Sequence, residues 1–70
     1  MHKWRVDEWY PNERHLGYIE EAPGGYRMTF EDRDIKQDID VALARHPSDL
    51  ELAIDEAAAR YSSLDFKLIS

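Results

Sequence analysis

Apolar residues in the first half of the chain recur at a period of two. Residues 3–10, Lys-Trp-Arg-Val-Asp-Glu-Trp-Tyr, place Trp4, Val6 and Tyr10 on one side of an extended strand, with Lys3, Arg5, Asp7 and Trp9 on the other. Pro11-Asn12-Glu13-Arg14 then supplies turn chemistry, because proline fixes φ and asparagine tolerates left-handed backbone. A second strand is expected over residues 16–21. Ala22-Pro23-Gly24-Gly25 is a strong break, after which Tyr26, Met28 and Phe30 alternate with Arg27 and Thr29, so residues 16–30 read as a β-hairpin.

The second half changes period. Ser48-Asp49-Leu50-Glu51 has the form of a capping box directly after Pro47, which makes Ser48 the expected N-cap. Leu50, Ile54, Ala57, Ala58 and Tyr61 follow at helical spacing and give residues 49–61 an apolar stripe. Past Ser62-Ser63, Leu64, Phe66 and Leu68 alternate with Asp65 and Lys67, which predicts a short final strand. Residues 32–46 fit two patterns. Ile35, Ile39, Ala42 and Leu43 form a helix face, whereas Ile39, Val41 and Leu43 alternate as in a strand. Asp32 or Asp34 as an N-cap and the stop at His46-Pro47 favour the helix. His46 then falls in its last turn, near free carbonyls, while His15 falls in a turn and His2 in a frayed end.

These elements predict an α+β fold: a small antiparallel sheet, built as a three-stranded meander plus a short C-terminal strand, with one or two helices on one face. A chain of 70 residues makes one domain, 1–70, since it buries only about 60% of its unfolded surface. With 43% hydrophobic residues it is too apolar to be disordered, and with no cysteine it has neither disulfides nor thiolate metal ligands. No apolar run approaches the length of a membrane span and the N-terminus has no apolar signal region, so a cytoplasmic protein is expected.

Charge narrows the class of partner. The net charge is −6, of which residues 1–30 hold −1 and residues 31–70 hold −5. Phosphate backbones repel such a chain and basic surfaces attract it, although acidity also serves solubility alone. Asp32, Asp34, Asp38 and Asp40 crowd into nine residues, yet a calcium loop starting at Asp32 would need glycine where Gln37 stands and glutamate where Leu43 stands. On a helix Asp34 and Asp38 share a flank, and Asp32 and Asp40 point elsewhere. No histidine pair has zinc-site spacing, no phosphate loop surrounds Gly24-Gly25, and Ser48 is taken as a cap. No catalytic residue, cofactor or metal is expected.

Two sets of residues remain as candidates for contact. One is the acidic set Asp34, Asp38 and Asp40. The other is Trp9 and Arg5 on one strand face, joined by Arg27 if it shares that side of the sheet, which together resemble the aromatic and arginine anchors of protein interfaces. The same groups can stack single-stranded nucleic acid, and both tryptophans also fit a core covered on both faces of the sheet. Residues 19–32, Ile-Glu-Glu-Ala-Pro-Gly-Gly-Tyr-Arg-Met-Thr-Phe-Glu-Asp, resemble the first hairpin of HicB-type antitoxins, and Asp49-Leu50-Glu51-Leu52-Ala53-Ile54 is similar to that family's helix. The chain departs from the family at Arg33-Asp34-Ile35-Lys36, where a Leu-Pro-Gly-Cys segment is usual, and in having an extra N-terminal strand. The resemblance implies an antitoxin-like or nucleic-acid-binding regulator. The acidity favours a small protein-binding or inhibitor module instead, of the kind found as accessory proteins of bacteria or their phages. Its expected partner is another protein with a basic surface, and self-association is left open.

Overall fold

The computed structural model describes residues 1–70. The chain runs β1 (Lys3–Glu8), β2 (Arg14–Ala22), β3 (Gly25–Phe30), α1 (Arg33–Leu43), α2 (Leu50–Arg60) and β4 (Leu64–Leu68). The four strands form one antiparallel sheet in the order β3-β2-β1-β4, so the C-terminal strand returns to lie beside the first. Both helices cover one face, α1 against β3 and α2 against β4, and they touch each other. This is the α+β architecture that the two hydrophobic periods predict. No helix is long and apolar enough to cross a membrane.

The core lies between that face and the helices. It consists of Trp4 and Val6 from β1, Leu16 and Ile19 from β2, Ile39, Ala42 and Leu43 from α1, and Ala53, Ile54 and Ala57 from α2. Leu16 and Ile19 are three residues apart, although side chains of a regular strand return to one face every second residue. A β-bulge accounts for this: Val6 pairs with Gly17 and Asp7 with His15, leaving Leu16 as the extra residue. Glycine is required at the bulge. A Cβ on Gly17 would run into the Thr29 carbonyl oxygen and stand 2.9 Å from the Phe30 ring across the sheet. The β2–β3 turn is Pro23-Gly24, in which Gly24 takes φ 80°, the left-handed value that follows proline in a type II turn.

Several local expectations are corrected. Strand β2 starts at Arg14, which puts His15 in the sheet instead of a turn. Tyr10 lies beyond β1 and is 63% exposed. His2 is held rather than frayed: its backbone N–H donates to Glu21 Oε1 at 2.5 Å and its ring Nδ1 lies 2.8 Å from the same oxygen. Residues 32–46 do contain a helix, but it ends at Leu43. Asp32 is its N-cap, accepting from the backbone N–H groups of Asp34 and Ile35. His46 therefore lies in the connection, where it pairs with Glu56 of α2. The N-cap of α2 is Asp49, accepting from the Leu52 N–H, and not Ser48. The Asp49 N–H bonds the His46 carbonyl at 3.3 Å, which closes a turn around Pro47 and Ser48 and moves the helix start one residue on.

Candidate functional site

The helices leave the other face of the sheet open. Alternation along each strand brings Lys3, Arg5 and Asp7 of β1, His15, Tyr18 and Glu20 of β2, Arg27 and Thr29 of β3, and Asp65 and Lys67 of β4 to that face. Arg5 and Arg27 thus share a side of the sheet, but they do not meet. Arg5 stands opposite Tyr18, while Arg27 stands opposite Glu20, whose other neighbour is Lys3.

Carboxylates hold two of the four cations on this face, Arg5 and Arg27. Arg5 Nε lies 3.1 Å from both oxygens of Asp7, and Arg27 lies 3.4 Å from Glu20. His15 Nδ1 lies 2.8 Å from Asp7 Oδ1, and the His15 ring meets Tyr18 edge-on at 4.9 Å. Lys3 places its ammonium 4.7 Å from the centre of the Tyr18 ring. Partial burial pushes the Asp7 carboxyl up, but the hydrogen bonds from His15 and Arg5 outweigh it, and the group sits below the ordinary 3.8.

At the end of β1 the open face passes into a concavity of about 460 Å³ lined by Arg5, Asp7, Trp9, Arg14, His15 and Asp65, among others. Trp4 is core at 6% exposure, whereas Trp9 is 58% exposed, so a sheet covered on both faces is excluded. Trp9 is nonetheless fixed, because its indole N–H donates to the Ser62 carbonyl at 2.9 Å. The His15 imidazole, held by Asp7 Oδ1, lines the concavity. No serine, threonine or cysteine lines it.

The acidic candidates lie on the opposite side of the molecule, so the two sets are separate surfaces. Asp34 and Asp38 are exposed along one flank of α1, and neither makes an ion pair. Asp40 occupies the other flank, where its Oδ1 accepts from the Tyr26 hydroxyl of β3 at 2.5 Å. It braces the fold and is only secondarily available for contact. No three carboxylate or imidazole side chains converge on one point, and Asp32 is spent as the α1 cap.

Pairing of the open face was hidden in the sequence. Asp7 and His15 are eight residues apart, and only the bulge register brings them together. The fold and surfaces define a small α+β domain with an aromatic, charge-paired sheet face and an acidic helical side. No family model, curated protein or solved structure matches this chain. The likeness to HicB-type antitoxins therefore rests on the β2–β3 hairpin and the start of α2 alone.

Proposed function

We propose that the protein is a binding module, of the inhibitor type, that uses its acidic helical side to occupy a basic surface of another protein. The observation that supports this reading is the segregation of charge between the two sides of the sheet. The open face carries four cations, Lys3, Arg5, Arg27 and Lys67, against three carboxylates, Asp7, Glu20 and Asp65, and so stands at +1. The whole chain is −6, and the two helices hold three cations, Arg33, Lys36 and Arg60, against six carboxylates, a balance of −3. Asp34 and Asp38 are the exposed, unpaired part of this charge on α1, and Glu51 and Asp55 continue it on α2. Carboxylates held on rigid helices attract a basic groove at long range and compete there with phosphates.

The test uses a partner captured from the source cells and identified by mass spectrometry. Heparin, a polyanion, should displace the protein from that partner as its concentration rises. A partner that holds heparin and the protein together would overturn the reading.

A further inference from the structure

Strand β4 is an edge of the sheet, and its sequence is self-complementary. Leu64-Asp65-Phe66-Lys67-Leu68 reads apolar, acidic, apolar, basic, apolar, so an antiparallel copy centred on Phe66 sets Leu64 against Leu68 and Asp65 against Lys67, twice over. We propose that the chain associates with a second copy of itself through β4, joining two sheets into one continuous eight-stranded sheet about a two-fold axis at Phe66.

Three observations carry this. The first is the direction of the backbone groups. Trp9 N–H donates to the Ser63 carbonyl and Ile69 N–H to the Lys3 carbonyl, so the odd-numbered residues of β4 face β1. Phe66 and Leu68 therefore point their N–H and C=O groups outward, as Leu64 does its C=O, its N–H being bonded to the Tyr61 carbonyl at 3.0 Å; an antiparallel copy pairs Phe66 with Phe66 and takes each Leu68 N–H to the Leu64 carbonyl opposite. Asp65 and Lys67 then fall at the non-hydrogen-bonded positions, where side chains of opposing strands come closest.

The second is charge. Within one chain Asp65 stands opposite Asp7, and Lys67 opposite Arg5. Like charges directly opposite are unfavourable, and neither Asp65 nor Lys67 has an ion-pair partner in the fold. A second β4 supplies the missing opposite charge to both. Strand β3, the other edge, offers no such match: its only charge is Arg27, which a two-fold copy would set against another arginine or against no carboxylate.

The third is apolar surface. On the helical side of β4 a groove of about 300 Å³ is lined by Trp4, Ile54, Ala58, Phe66 and Leu68, and Leu68 is 52% exposed. The copy's leucines and phenylalanine extend this layer. Glu51 and Asp55 rim the groove on α2, and two-fold symmetry brings this acidic rim toward its own copy, which limits the affinity.

Sedimentation of the full chain from about 1 μM to about 1 mM should show a shift from 8.3 kDa to twice that mass. Asp65→Lys and Lys67→Asp should each be monomeric where the wild type is dimeric. Each also turns a like-charge pair with Asp7 or Arg5 into an opposite pair, so the monomer should melt no lower than the wild type, which separates lost association from lost folding. An equimolar mixture of the two variants should dimerise again, as should the double variant Asp65→Lys/Lys67→Asp. A wild type that stays monomeric throughout would overturn the proposal. So would single variants that dimerise as before, since the contact would then lie elsewhere, or a mixture that fails to recover.

Discussion

The Tyr26 hydroxyl on β3 donates to Asp40 Oδ1 on α1 at 2.5 Å, tying an edge of the sheet to the helix that covers it. Burial, and then the bond to the Asp40 carboxylate and its negative charge, push the phenol from 10.0 up to about 12. A raised folded-state value means stability that is complete below the unfolded value and is lost as pH climbs to the folded one. The stabilisation from Tyr26 should therefore hold below pH 10 and disappear between pH 10 and about 12. Tyr26→Phe should cost about 1 kcal/mol at neutral pH and remove this residue's share of the alkaline loss. Urea unfolding across the alkaline range, on both proteins, measures the difference; parallel curves would place the stabilisation elsewhere.

Capping gives a sharper comparison between neighbours. Asp49→Ala should destabilise the domain by about 1 kcal/mol, because it frees the Leu52 N–H at the start of α2. Ser48→Ala should change stability by less than about 0.5 kcal/mol, since Ser48 sits exposed in the turn before the helix. The reverse order in thermal melts would restore Ser48 as the cap.

These two residues also show where reading the sequence stops. The capping-box pattern locates the start of α2 to within one residue, but Ser48 and Asp49 are both good caps, and the turn closed by His46 decides between them. Strands β1, β3 and β4 and helix α2 follow from periodicity because each keeps one period throughout, whereas α1 fits two periods and is told from a strand by its aspartate cap and the stop at His46-Pro47. Strand β2 does not keep one period. Its bulge shifts the buried positions from every second residue to Leu16 and Ile19, and the pairing of His15 with Asp7 across that shift has no local signature. The separation of the acidic set from Trp9, Arg5 and Arg27 was equally hidden, since it depends on which sheet face the helices take.

The bulge itself can be tested at Gly17. Any side chain there meets the Thr29 carbonyl and the Phe30 ring, and backbone cannot yield as a flexible side-chain end would. Gly17→Ala should destabilise by about 1–3 kcal/mol, an overpacking cost, despite adding a single methyl. A neutral result in urea unfolding would mean that β2 can slide out of its bulge register.

The open sheet face should not bind nucleic acid. Trp9 and Tyr18 could stack bases, but Asp7 and Glu20 already occupy Arg5 and Arg27, and the whole chain carries −6. Fluorescence anisotropy with labelled duplex DNA and mixed-sequence single strands should show no binding at about 0.15 M salt. Sub-micromolar binding that weakens steeply with salt would make Trp9, Tyr18 and Arg5 a stacking platform.

The acidic flank of α1 leads to the last expectation, in which kinetics distinguish recognition from solubility. Asp34 and Asp38 are exposed, unpaired and neighbours on one helix flank, whereas Asp40 is bound by Tyr26, so the double variant Asp34→Asn/Asp38→Asn removes charge without touching a fold contact. If these groups draw in a basic partner, the variant should associate more slowly and its rate should depend less on salt, because rim charges act mainly on encounter. Dissociation should change little. Adding Asp40→Asn should lower stability as well, through the weakened Tyr26 bond, and that loss should be visible without any partner present. Stopped-flow association with the captured partner at several salt concentrations separates the two effects. An unchanged rate for the double variant would leave Asp34 and Asp38 as solubilising charges and move the binding surface to Trp9 and the open sheet face.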